Sequence, residues 1–133
     1  MIELELSKII IDEDKREQLV VLKEKAGGRF LPIMIGINEA VAIKMQLSGF
    51  VPPRPMTHDL MHSILGAGEL SLRRVVIDRL QENTFYSKIY LTDNRDSFER
   101  IVDARPSDSI ALAVRACCPI FVAEAVLDSV SRV

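Results

Sequence analysis

The spacing of apolar residues changes at Gly36, and that change constrains the fold more than any other feature of the sequence. RFLPIMIG at 29–36 reads as a strand, whereas INEAVAIKMQLSGF sets Ile37, Val41 and Met45, with Ala40, Ile43 and Leu47, at helical spacing. Ser48 and Gly49 close the segment as a C-cap, so the first helix is expected over 37–48. Pro32 lacks the amide hydrogen that a central strand donates, which places the preceding strand at a sheet edge or a bulge.

The same reading extends along the chain. IELELSKIII at 2–11 is a strand half exposed at its start and buried at its end, residues 12–15 are a charged turn, and EQLVVLKE at 17–24 is a second strand. Gly27 and Gly28 are expected to supply the φ > 0 positions of a tight turn into the third. VPPRP at 51–55 is extended because each residue before a proline is pushed out of the α region, and MTHDLMHSILGAG then reads as a helix opened by Pro55 or Thr57. ELSLRRVVIDRL and TFYSKIYLT form a hairpin about a turn at 81–83, and SFERIVDA adds a third strand. RPSDSIALAVRACC is a helix with Pro106 just inside its start, PIFVAE is a short strand, and AVLDSVSRV is a final helical turn or tail. The expected class is α+β, with largely antiparallel β-meanders and three main helices. The order reads as two related halves, each a meander leading to an Arg-Pro helix.

At 133 residues the chain is one domain, residues 1–133, long enough to bury roughly two-thirds of the surface its unfolded chain exposes. Its 48% apolar and 27% charged content excludes a disordered or low-complexity segment. A net charge of −2 gives no global signal for binding a polyanion, and Arg73, Arg74 and Arg79, like Arg95 and Arg100, read as solvated faces. The N-terminus lacks the basic start and cleavage site of a signal peptide, and no apolar run is long enough to span a bilayer, so a cytoplasmic protein with no membrane partner is expected. Adjacent Cys117 and Cys118 cannot form an ordinary disulfide together and read as two small buried residues at a helix end.

Two short stretches concentrate the chemistry. RPMTHDLMH at 54–62 holds both histidines, His58 and His62, four positions apart on one helical face, and DARPSD at 103–108 repeats an Arg-Pro followed closely by an aspartate. Two histidines at that spacing can reach one metal, but a third ligand has to come from Glu39, Asp59, Asp103 or Asp108. The plainer reading puts Asp59 and Asp108 in first turns, where the helix dipole favours an anion, with His58 bonded to a loop and His62 on the surface. Glu39 falls in the first turn of helix one and admits the same reading. Arg105 can grip a phosphate with its planar fork or simply pair with an aspartate. No Walker, zincin, nucleophile-elbow or paired C-x-x-C motif occurs.

LPIMIGINEA at 31–40, RPMTHDLM at 54–61, NTFYSKIYL at 83–91, DARPSDSIALAVR from 103 and PIFV ending at 122 together resemble the bifunctional nuclease (BFN) domain family. The blocks come in the family's order over most of residues 1–125, and the pair RP-x-THDL and DARPSDSIALA is the most specific part. The resemblance implies an α+β domain that self-associates as a homo-oligomer, with hydrolysis of phosphodiester bonds in RNA and DNA. Matched position by position, the family's polar signature falls on Glu39, Arg54, Thr57, His58, Asp59, Asp103, Arg105, Ser107 and Asp108. His62 lies outside that signature, Met34 stands where relatives often carry an aromatic, and the chain is expected to be a single-domain bacterial-type member without the UvrB/UvrC-type helical hairpin of some longer relatives.

On that basis the expected mechanism is metal-assisted. Asp59, Asp103 and Asp108 hold a divalent cation, Mg²⁺ or Mn²⁺; His58 is general base or ligand, Arg54 and Arg105 clamp phosphate, and no organic cofactor is called for. Glu39 completes the catalytic set, and Thr57 and Ser107 the substrate-binding set. All of this requires the two Arg-Pro corners to meet, and a His58–Asp108 separation above about 12 Å would remove the composite site, since direct ligands lie about 2.0–2.6 Å from a metal. The rival expectation is a noncatalytic oligomeric binding or regulatory module in which buried ion pairs from Arg54 to Asp59 and from Arg105 to Asp108 fix the helix starts.

Overall fold

A computed structural model describes residues 1–12, 14 and 17–131. The elements in chain order are β1 (Ile2–Ile10), β2 (Glu17–Glu24), β3 (Phe30–Gly36), α1 (Ile37–Leu47), α2 (Thr57–Ala67), β4 (Leu70–Gln81), β5 (Thr84–Asp93), β6 (Glu99–Ala104), α3 (Pro106–Ala116), β7 (Ile120–Val122) and α4 (Glu124–Ser131). Part of the expected turn at 12–15 (Glu13 and Lys15), and the last two residues of the C-terminal segment, lie outside the described residues; the rest of that segment forms α4.

The strands form one sheet in the order β3-β2-β1-β7-β4-β5-β6, antiparallel throughout except between β4 and β7. The class is α+β, as expected. Short β7 joins the two meanders, and each meander passes into a helix, β3 into α1 and β6 into α3. The Arg-Pro echo does not follow this symmetry. Arg-Pro stands at the openings of α2 and α3, whereas the helix that occupies α3's topological place in the first half is α1.

Local chemistry accounts for most boundaries. Pro32 lies on the edge strand β3, opposite Val21, so the amide it lacks is not missed on the open side. Glu82 and Asn83, at φ 51° and 62°, make the two-residue β4–β5 turn, whose twist suits a hairpin. The expectation for Gly27 and Gly28 was wrong, since among the described residues Gly49 is the glycine with positive φ. Five residues, 25–29, connect β2 to β3, which leaves room to turn without left-handed backbone. A Cβ at Gly27 would lie 2.5 Å from the Glu24 carboxylate, which Arg29 holds through its amide and guanidinium, so a larger residue there would press on that pair.

One face of the sheet, with Val20, Leu22, Leu31, Ile33, Val75, Ile77, Ile89 and Val122, packs against Ile43, Ile110 and Leu127 of the helices in a single core. Helix α3 is the most deeply set, and its small residues Ser107, Ser109, Ala111 and Ala113 let it sit close to the sheet with α1 and α2 against it. Buried Ser87 donates to the Ala104 carbonyl at 2.6 Å and shares a 2.7 Å bond with the Ser109 hydroxyl. Those bonds pin the opening of α3 to β5 and β6. At its other end, Cys117 takes a left-handed conformation (φ 54°) and is exposed, which corrects the expectation of two buried thiols. Cys118 is half-buried, and burial pushes its thiol up to about 11. Among the described residues no helix is long and apolar enough to cross a membrane.

Candidate functional site

Helices α1, α2 and α3 each carry an acid at their third residue: Glu39, Asp59 and Asp108. A carboxylate there compensates the helix dipole and the unpaired first-turn amides. The three acids are then used differently, and the differences build the site.

Asp59 turns back on its own helix and accepts from the Met56 amide at 2.9 Å, which is half of a capping box. Its other oxygen accepts from Arg115 Nε at 2.7 Å. Arg115 Nη1 and Nη2 donate to the carbonyls of Ala111 at 2.9 Å and Ala42 at 3.3 Å, so one guanidinium joins α1, α2 and α3. Its side chain is only 5% exposed. The Met56 amide bond and then Arg115 hold the Asp59 carboxyl below the usual carboxylate range. The Arg54–Asp59 pair expected of a purely structural corner is therefore absent, and Arg115 takes that place.

Asp108 faces the other way. It accepts from Arg105 Nε at 2.9 Å and lies 2.9 Å from His58 Nε2 across fifty residues of sequence. Arg105 Nη2 also donates to Glu39 at 3.1 Å and to Asp108 at 3.3 Å. Glu39, His58, Arg105 and Asp108 thus meet where α1, α2 and α3 begin. An ionised carboxylate only accepts, so His58 carries its proton on Nε2 and donates to Asp108. Burial alone would raise the Asp108 carboxyl, but the bonds from Arg105 and His58 outweigh it and hold the group below its ordinary value. His58 is buried, whereas the Arg105 side chain is 67% exposed.

A cleft of about 580 Å³ opens beside this corner, lined on one side by Pro32, Met34 and Gly36 of β3 and on the other by Phe85, Arg105 and Ser107. A Cβ at Gly36 would stand 2.5 Å from the Glu39 carboxylate, so a larger residue there would make that side chain shift. Of the remaining candidates, Arg54 is exposed in the segment before α2 and has no ion pair among the described residues, and Thr57 is exposed at the first residue of α2. Asp103 is exposed on β6 opposite Lys88 and takes no part in the corner's hydrogen bonds among the described residues. His62 is exposed and takes no part. Among the described residues no three His, Cys, Asp or Glu side chains gather as a group that could hold a metal. The arginine clusters are largely neutralised: Arg74 reaches Glu99 and stacks on Tyr90, Arg95 holds Asp93, and Arg100 holds Asp96.

Asp59 and Asp108, both lowered, tie stability to pH. In the unfolded chain their carboxyls titrate near 3.9, so as pH falls the unfolded state takes up protons first and the native state loses relative stability. The contribution is complete above about pH 5 and disappears as pH drops through the lowered native values. Urea midpoints measured from pH 7 to pH 3 are expected to fall steeply below pH 4, and to fall less in Asp59→Asn, which has already lost its share. An unchanged slope in that variant contradicts the assignment.

A family model described as the bifunctional nuclease domain matches residues 20–133. An uncharacterized protein of Mycobacterium tuberculosis is 42% identical over 125 residues, which cover 94% of this chain and 73% of that protein. "Bifunctional nuclease 1" of Oryza sativa subsp. japonica and "Bifunctional nuclease" of Oryza minuta are each 26% identical over 110 residues, which cover 82% of this chain and 33% of theirs.

Proposed function

The chain belongs to the bifunctional nuclease domain family, and from that premise we propose that it hydrolyses phosphodiester bonds of RNA and DNA, in the cytoplasm and as a homo-oligomer. One observation carries this reading: the two Arg-Pro corners meet, with His58 2.9 Å from Asp108 and an exposed Arg105 beside them at the mouth of a cleft. Arg105 is the phosphate clamp. Its Nη1 makes no hydrogen bond among the described residues, so a phosphate oxygen can be taken up without first breaking the pairs to Glu39 and Asp108. Asp108 orients the His58 ring through Nε2 and leaves Nδ1 as the nitrogen able to accept a proton from water. Glu39 tethers Arg105, Ser107 lines the cleft, and Arg54 and Thr57, exposed before and at the first residue of α2, would supply further substrate contacts. Asp59 acts at one remove, through Arg115.

A Mg²⁺ or Mn²⁺ ion is commonly bound by one or two carboxylates together with the substrate's own phosphates. We therefore place a divalent cation with the substrate, at Asp108 or Glu39, where it would supply charge neutralisation at phosphorus.

A second reading is favoured by the burial of His58 and by the fact that every acid at the corner already has a partner. That is also the pattern of a structural network in a noncatalytic oligomeric binding module. Cleavage of labelled single-stranded RNA and DNA, with Mg²⁺, Mn²⁺ or EDTA, separates the two. The nuclease reading expects loss of cleavage in folded His58→Ala and Asp108→Asn; equal cleavage by wild type and variants prepared identically leaves the module.

A further inference from the structure

The cleft beside the corner is charged at one end only. Among the described residues that line it, Arg105 is the one cation and Glu17 the one acid, and Glu17 stands opposite Gly36, next to the corner. From Gly36 the β3 wall runs back through Met34 to Pro32, roughly 13 Å at the usual rise of a strand. The facing wall can be followed in the same way. Ser87 is bonded to the opening of α3, and Thr84 lies three residues from it, about 10 Å, with Asn83 just beyond. Between the two ends stand Met34 and Phe85, and Phe85 is held by packing on the core.

Resting on the nuclease reading, we propose that the cleft takes one unpaired nucleobase whose adjoining phosphate sits on Arg105, so that the chain acts on single strands. A phosphodiester backbone does not suit the length of the cleft, because it would meet no second cation there and one acid at the mouth. The neutral part of a nucleotide fits instead. A base has apolar faces, which Met34 and the Phe85 ring can cover, and a polar edge, which the Asn83 amide and the Thr84 hydroxyl can meet as donors and acceptors. The volume of about 580 Å³ lies within the range of small-ligand pockets. Within a duplex the same base is stacked and paired, and it would first have to be turned out.

Fluorescence anisotropy in EDTA, with a short labelled DNA strand, tests this by binding alone. Wild type is expected to bind the intact strand more tightly than an abasic strand of the same length by on the order of tenfold, the usual worth of one stacked base. The same strand in a duplex is expected to bind more weakly by a similar factor, on the order of tenfold. Met34 and Phe98 are each 66% exposed, and only Met34 lines the cleft. Met34→Glu is therefore expected to weaken single-strand binding well beyond Phe98→Glu, which makes the same change in net charge, with circular dichroism reporting that both variants fold. If Met34→Glu does not fold, the intact and abasic strands on wild type decide the matter. Equal binding of intact and abasic strands, equal binding of strand and duplex, or an equal loss in the two glutamate variants overturns the proposal. The two readings fail separately: cleavage with base-indifferent binding removes the subsite alone, and base-dependent binding without cleavage removes the nuclease reading alone.

Discussion

Asp59→Ala is expected to destabilise the fold by about 3–5 kcal/mol, because it leaves a buried charge without its counter-charge. Arg115 is 5% exposed and its Nε is bound to Asp59. With Asp59 removed, the guanidinium keeps only the carbonyls of Ala42 and Ala111, and the Met56 amide loses its acceptor as well. For a chain of 133 residues that loss corresponds to a fall in Tm of roughly 10–20 °C. Arg54→Ala, at an exposed position with no ion pair among the described residues, is expected to stay within about 0.5 kcal/mol of wild type. The pair Asp59→Leu with Arg115→Met should recover much of the loss, since apolar groups of similar size often replace a buried ion pair at little cost. Urea unfolding of the four proteins checks this. A loss under about 1 kcal/mol in Asp59→Ala would mean that Arg115 finds another partner and does not hold the three helices together.

Arg115 is also the clearest case of what the sequence hid. Strand and helix periods, Pro32 on an edge, Pro106 at the opening of α3 and the turn at 81–83 are local, and each was readable because the residue that decides the structure lies within a few positions of its effect. The coming together of the Arg-Pro corners was partly legible, as an echo between RPMTHD and DARPSD and as a family resemblance. What fixes the geometry is not local. Arg115 reaches back 56 residues to Asp59 and 73 to Ala42, and nothing near it announces either partner. One signal was available: Arg115 lies seven residues, about two helical turns, beyond Asp108, in a helix otherwise built of small and apolar side chains. The missed glycine turn has a different cause, because the five-residue connection between β2 and β3 turns without left-handed backbone at either Gly27 or Gly28.

The largest effects on activity are expected at the His58–Asp108 contact. Asp108→Asn keeps the size of the side chain and an acceptor for His58 Nε2 but removes the charge that both His58 and Arg105 face. If His58 transfers a proton during hydrolysis, cleavage should fall by roughly 10²–10⁴-fold, the usual worth of a positioned acid or base. His58→Ala should fall by a similar factor, and the double variant should be little worse than either single one, because groups that act as a unit are strongly non-additive. Arg105→Ala removes a group that meets substrate and transition state alike, so its first effect should be a raised KM, whereas His58→Ala should act mainly on kcat. The split matters because a merely structural network predicts something else: variants that lose stability together and leave the rate per folded molecule unchanged. Measuring kcat and KM beside urea midpoints for the same proteins therefore tests the corner as chemistry and as architecture at once. Loss of rate without loss of folding requires a proton-transfer role for His58, and parallel loss of both returns the corner to the function that Arg115 already serves.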